Sequence, residues 1–256
     1  MRPLPWARHA VPLQILLLIL LVILPACGKK GPVRPLLKAE PAAPGNPEAR
    51  QIGAAILLYA NLPERNLDGT PLTDLSELRV YRRETAGGVC TSCDESTELW
   101  RSVDPVSAAR EGTRLIIRDE EVRPGYGYRY RLVPVTSRGI TGTSVALARQ
   151  LHPFPPAPKE LTATAFDRLV RLQWSESPEV APGWKPLGCN LFRTSGTAPF
   201  GLAPLTTKPV QGGRYDDFGP QNGTLYRYQL RCQAEQGGVI VDSPPSAVVS
   251  ATPQPE

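Results

Sequence analysis

Histidine is nearly missing from this sequence of 256 residues, which has two histidines and one methionine. Beyond residue 26 there is only His152. A Ser–His–Asp triad, a Cys–His pair and a histidine-ligated metal each need a histidine inside a pocket. Long apolar runs are missing too: the main run, Ile15 to Leu24, has ten residues, whereas a membrane-spanning helix needs about 20. We expect no enzyme activity, no metal and no cofactor.

A basic surface on the folded part is also missing, although the net charge is +5. The positive excess lies within the first 50 residues, and ranges 51–151 and 152–256 each carry equal numbers of basic and acidic side chains. A protein that binds duplex nucleic acid needs a basic patch on its folded domain. The charge distribution therefore excludes nucleic acid as an expected partner.

The N-terminus has the form of an export signal. Arg2 and Arg8 precede the short apolar run, which ends at Leu24-Pro25-Ala26-Cys27-Gly28. This resembles the bacterial lipobox, with a leucine three residues before the cysteine. The resemblance implies removal of a signal peptide, residues 1–26, and acylation of Cys27 with chains such as palmitate. A soluble secreted protein and an uncleaved anchor are the alternatives.

The residue after Cys27 indicates in which membrane the lipid anchor lies. In lipoproteins of this kind an aspartate there favours retention in the inner membrane, and this chain has Gly28. The resemblance therefore implies a lipid anchor in the outer membrane, on its periplasmic face. Residues 27–50 are rich in proline and predict an extended tether.

A six-residue segment, Cys27-Gly28-Lys29-Lys30-Gly31-Pro32, resembles the start of the short lipopolysaccharide-transport maturation lipoproteins. It implies an alternative function as an accessory factor in outer-membrane or lipopolysaccharide-transport assembly.

The rest of the chain repeats itself at an offset of about 98 residues, which aligns Tyr128 with Tyr226. Further upstream, Tyr59 aligns with Trp174. Most aligned segments alternate apolar and polar residues, which is typical of half-buried strands. With proline and glycine between the strands, the pattern predicts two all-β sandwiches, over residues 51–151 and 152–256.

Each copy resembles the fibronectin type III domain, an immunoglobulin-like sandwich. Carried over, the resemblance makes Trp174 the core tryptophan of the second strand, with Tyr59 in its place in the first copy. Tyr128 and Tyr226 would be tyrosine corners, whose hydroxyls bond back to the preceding connection.

The join, His152 to Pro158, has four prolines in six residues. It predicts a semi-rigid spacer that holds the two sandwiches apart and in line. A simple connection with no mechanical role is the preferred interpretation unless the two sandwiches pack against each other.

Four cysteines remain after Cys27, and an exported chain permits disulfides. The type III resemblance places Cys189 and Cys232 on neighbouring antiparallel strands, which implies a cross-strand disulfide; two buried thiols are the alternative. Cys90 and Cys93 form a Cys-x-x-Cys without a following helix. We expect a small structural disulfide there, with thiol–disulfide exchange as the alternative.

We expect two sets of charged residues to lie on solvent-exposed surfaces without a specific function. The carboxylates Asp119-Glu120-Glu121 and Asp216-Asp217 are expected on a solvated surface. The strand arginines are expected on the polar faces of their strands, with an anion-binding stripe as the alternative; they are Arg129, Arg131, Arg227 and Arg231.

Taken together, these features predict a membrane-anchored envelope lipoprotein that acts as a protein-binding or spacer module. Its expected partners are the membrane, through the lipid anchor, and an envelope protein.

Overall fold

The computed structural model describes residues 39–90, 98–175 and 179–255. The signal peptide, Cys27 and Cys93 lie outside the described residues. Within them the regular structure is all β, with no helix and therefore none that could cross a membrane.

The first copy of the repeat forms eight strands. They are β1 (Gly45–Ile52), β2 (Ala55–Asn61), β3 (Leu75–Ala86), β4 (Glu98–Val103), β5 (Arg110–Glu111), β6 (Arg114–Asp119), β7 (Tyr126–Thr136) and β8 (Val145–Gln150). Strands β4-β3-β7-β8 form one antiparallel sheet, which packs against β1-β2-β6-β5. We call this pair of sheets the first sandwich. Its core consists of buried side chains from both sheets, including Leu58, Leu78, Ile117 and Leu132.

The second copy forms seven strands. They are β9 (Thr162–Phe166), β10 (Leu169–Gln173), β11 (Lys185–Ser195), β12 (Arg214–Asp217), β13 (Tyr226–Gln236), β14 (Val239–Asp242) and β15 (Val249–Ala251). Sheet β12-β10-β9 packs against β11-β13, with β14 and β15 both paired to β13. This is the second sandwich, and Leu172, Leu191 and Leu230 lie in its core. The all-β, two-sandwich architecture predicted from the repeat is present.

The first strand begins earlier than the sequence indicates. β1 starts at Gly45, so the boundary at residue 50 lies inside a strand and not at the end of the tether. The pattern is obscured because the register shifts between Gly45 and Glu48, which accommodates Pro47. Pro41 is also tied to the sandwich, through an isolated bridge to Asn66.

The alignment of Tyr59 with Trp174 is wrong by one residue. Ile56 pairs with Asp119 in the first sandwich, and Val170 pairs with Asp217 in the second, so Ile56 and Val170 are equivalent. The counterpart of Trp174 is then Ala60. A shift of one residue moves a strand side chain to the opposite face, and Tyr59 indeed lies outside the core of the first sandwich.

The two sandwiches share a sheet. β1 of the first pairs in parallel with β14 of the second, at Ile52 and Asp242. This creates one eight-stranded sheet with the path β11-β13-β14-β1-β2-β6-β5, in which β15 is the eighth strand and pairs with β13. The predicted spacer that holds the sandwiches apart is therefore wrong. The linker prolines are present, but strand pairing and side-chain burial bring the sandwiches into contact.

Candidate functional site: the joint between the two sandwiches

The cysteines occupy structural positions where they are described. Cys189 and Cys232 face each other across β11 and β13 and form a disulfide, as expected. Cys90 is also disulfide-bonded. The predicted pairing of Cys90 with Cys93 remains a prediction, because Cys93 lies outside the described residues.

The aromatic residues named from the type III resemblance lie as follows. Trp174 is buried in the core of the second sandwich, and Tyr128 is buried in that of the first. The Tyr128 hydroxyl accepts a hydrogen bond from the Arg123 N–H at 2.8 Å. Tyr226 is half-buried, and its hydroxyl accepts one from the Gln221 N–H at 3.1 Å. Each hydroxyl thus bonds to the connection that precedes its strand.

Asp119 is not on a solvated surface but completely buried. Arg82 Nη1 lies 2.9 and 3.0 Å from its two carboxylate oxygens, and the Tyr130 hydroxyl donates to Oδ2 at 2.6 Å. Burial and the hydrogen bond to Asp119 raise the pKa of Tyr130, so this hydroxyl remains a donor. Because Asp119 is on β6 and the other two are on β3 and β7, the cluster joins the two sheets.

The second sandwich repeats this cluster. Asp217 is buried and accepts from Arg193 Nη1 at 2.9 and 3.0 Å and from the Tyr228 hydroxyl at 3.0 Å. Burial and the nearby charge of Asp217 raise the pKa of Tyr228. A buried carboxylate needs charged and hydrogen-bonding partners, and the repeat supplies the same ones twice. The expectation of a solvated surface therefore fails for one aspartate in each copy.

Two open clefts on the described surface differ in the side chains that line them. A cleft of about 410 Å3 beside Trp174 is lined by apolar residues, glycines and Gln211, with no titratable group. Another of about 470 Å3 has Glu64 and Arg110 among its lining residues. No three metal-ligating side chains lie together in the part of the chain that the structure describes.

The joint between the sandwiches combines backbone pairing with polar and apolar side-chain contacts. At its centre the Gly53 N–H donates to the Asp242 carbonyl at 2.8 Å, next to the strand bridge. Gly53 has a φ of +57°, and a Cβ there would lie 2.6 Å from Cγ of Pro244. Only glycine allows the backbones to approach this closely.

The linker is fixed to the first sandwich by one side chain. Gln51 is buried, and its Nε2 donates to the carbonyls of His152 at 2.7 Å and of Gly53 at 3.0 Å. Its Oε1 accepts from the His152 N–H at 2.9 Å. The His152 ring lies against Trp184 of the second sandwich, with 5.9 Å between ring centroids.

A loop of the second sandwich covers the outer face of β2. Leu202 packs against a cluster on that face, formed by Ile52, Ala55, Leu57, Tyr59 and Ile116. The Leu202 N–H donates to the Glu111 carboxylate. Farther along, Arg149 Nη2 donates to the Ile240 carbonyl at 3.2 Å.

The sequence contained a signal for this joint. Ala55 to Tyr59 is apolar throughout, whereas a strand with one solvated face alternates. Its inner side chains fill the core of the first sandwich, and its outer ones lie under the second sandwich. An unbroken apolar strand in an antiparallel sheet indicates that both faces are covered.

Comparisons with known proteins give a fold likeness alone. No family model matches the chain, and no curated protein matches it. Among solved structures it is similar to the crystal structure of chicken CNTN1 FN1-FN3 domains, with 13% identity over 84% of this chain and 69% of that chain. The TM-score of that match is 0.32.

Proposed function

We propose that this chain is a lipid-anchored envelope protein whose two sandwiches act as one rigid body, which binds or spaces a protein partner at a set distance from the membrane. The joint is the observation that supports this proposal. Its backbone pairing, the Gln51 contacts and the buried face under Leu202 restrict bending between the sandwiches. In this proposal the tether sets the distance from the membrane, and the rigid body sets the orientation of the binding surface.

The anchor belongs to the same proposal. We place it at Cys27, in the outer membrane on the periplasmic side, on the support of the lipobox-like segment and of Gly28. Each buried methylene of an acyl chain contributes about 0.8 kcal/mol, so several chains give firm attachment.

Rigidity is measured by the distance between two spin labels, one on each sandwich. Ala146 and Thr164 are exposed, and Ala146→Cys with Thr164→Cys should give one narrow distance distribution. A second pair within the first sandwich, Ala146→Cys with Thr113→Cys, provides the width of a rigid reference. A distribution between sandwiches that is much broader than this reference would contradict the proposal.

The anchor is tested separately. Cys27→Ala should abolish incorporation of labelled fatty acid and leave an unprocessed precursor. Gly28→Asp is the matched control, since it retains the acylated cysteine and should move the labelled protein to the inner-membrane fraction. Normal labelling of the Cys27→Ala protein would contradict the anchor.

Two other proposals have narrower support. The segment Cys27 to Pro32 favours an accessory role in outer-membrane or lipopolysaccharide-transport assembly, and co-purification with a defined assembly complex would support it. Thiol–disulfide exchange through Cys90 and Cys93 would be shown by reduction of insulin. Retention of that activity in a Cys90→Ala variant would exclude these cysteines as its source.

A further inference from the structure

An open cleft lies at the end of the first sandwich where β2 ends and β3 and β6 begin. Its volume is about 470 Å3, and ligand sites in proteins have volumes of about 300–1,000 Å3. The apolar part of its wall consists of four half-buried side chains, Leu62, Pro63, Leu72 and Leu75. We call this the first cleft, and its wall is suited to an apolar side chain of a ligand.

The rim of the first cleft carries one charge of each sign. Glu64 and Arg110 both line the cleft, and both are exposed. Arg110 donates to the Pro105 carbonyl, but neither charged side chain forms an ion pair with any residue in the described ranges. Thr113 adds an exposed hydroxyl to the same rim. Both charges are therefore available to a ligand whose apolar part occupies the cleft.

The second sandwich has a cleft at the equivalent place, beside Trp174, which we call the second cleft. Leu75 lines the first cleft and Pro186 the second, and they pair with residues at equivalent positions of β7 and β13. Thr113 and Gln211, each before the first residue of its β6 or β12 strand, are equivalent in the same way. The described lining of the second cleft contains no charged side chain. The fold thus forms this cleft in both copies, and the sequence adds the two charges in the first.

We propose that the first cleft binds a short extended peptide of a partner protein, in which an apolar side chain stands between a basic and an acidic residue. The apolar side chain packs among the leucines of the wall, the basic residue faces Glu64, and the acidic residue faces Arg110. An apolar anchor in a pocket with polar contacts at its rim is a common mode of peptide recognition. Nucleic acid and an anionic lipid surface each present charge of one sign, so a rim with both signs favours neither.

The test is photo-crosslinking of the full chain with a capped peptide, acetyl-Lys-Leu-Leu-Glu-amide, in which one leucine carries a diazirine. This inference rests on the proposed protein-binding function, but it is measured independently of the distance between the sandwiches and of the anchor. Mass spectrometry should place a saturable label on the wall of the first cleft, and an excess of unlabelled peptide should remove it. Label on the second cleft as strong as on the first, or label that does not saturate, would overturn this inference and leave the rigid body standing.

Two further peptides separate the charges from the apolar anchor. The peptide acetyl-Gln-Leu-Leu-Gln-amide lacks both charges, and acetyl-Lys-Ser-Ser-Glu-amide lacks the apolar side chains. Each should compete for the label less well than the unlabelled parent peptide. Competition equal to that of the parent peptide by either of them would overturn the proposed mode of recognition.

Variants then locate the effect. Glu64→Gln and Arg110→Gln each remove one rim charge at an exposed position and retain a polar side chain. Because exposed ion pairs are weak, each variant should reduce labelling by the charged peptide about two- to fivefold. Glu98→Gln is the matched control, since Glu98 is exposed on β4 and does not line the cleft, and it should retain full labelling. No loss in either rim variant, or an equal loss in the control, would overturn the site.

Discussion

The substitution Gly53→Ala tests how tightly the joint is fitted. Gly53 adopts a φ of +57°, and an alanine in this left-handed region costs about 1–2 kcal/mol. The new Cβ would also lie 2.6 Å from Cγ of Pro244 and 3.0 Å from its Cδ and backbone nitrogen. A proline ring cannot rotate away, and overpacking costs about 1–3 kcal/mol more. We expect a total loss of about 2–5 kcal/mol in the free energy of unfolding.

Gly112→Ala is the matched control. Gly112 has a φ of +56°, and an added Cβ there meets nothing within 4 Å. It carries the backbone cost alone, so the difference between the two variants measures the contact across the joint. Urea unfolding followed by fluorescence is suitable, because Trp184 lies against the linker at His152 and reports on the joint.

A second substitution can relieve the first. Pro244→Ala removes Cγ and Cδ, so the double variant with Gly53→Ala should recover part of the excess loss. The reasoning is refuted if the two glycine variants lose equal stability, or if Pro244→Ala gives no recovery.

Three further predictions concern the core, the disulfide and pH. Trp174→Ala should destabilise the second sandwich by about 3–5 kcal/mol, measured as a fall in its melting temperature; an unchanged value would contradict its place in the core. Reduction of Cys189–Cys232, which are 43 residues apart, should cost about 4 kcal/mol and affect the second sandwich first. Burial, and then the charge of Arg149, lower the pKa of His152 below its usual 6.5. The folded state therefore binds this proton less readily, and stability should fall as the pH drops below about 6.5. His152→Gln should lose that part of the pH dependence, and identical profiles for both proteins would contradict it.

The sequence predicts where the strands lie better than it predicts which of their faces are buried. Alternation along Tyr128, Tyr130 and Leu132 correctly identifies an inward face, because one side of that strand packs and the other carries arginines. β2 has no alternation, since both of its faces are covered, and so its alignment slipped by one residue. Internal repetition predicts the fold within each sandwich. It does not predict which strand face of one sandwich packs against the other sandwich.

For the two buried aspartates, too, the sequence predicts the position in the fold but not the burial. The offset of about 98 residues correctly matches Asp119 with Asp217, and the structure shows that each has an arginine partner, Arg82 or Arg193. The sequence does not reveal their burial, because a run of two or three acidic residues has the composition of a solvated surface. The partners that make burial tolerable come from distant strands. Only the tertiary structure shows that each arginine, aspartate and tyrosine converge.

The parallel pairing of β1 with β14 has a consequence for the order of folding. Ile52 and Asp242 stand far apart in the chain, and such long-range pairing forms late. The first sandwich leaves the ribosome before the second exists. Until β14 is made, the edge of β1 near Ile52 is unpaired and the outer face of β2 is uncovered, and such edges and faces promote self-association. The second sandwich therefore covers an edge and an apolar face that the newly made first sandwich leaves open.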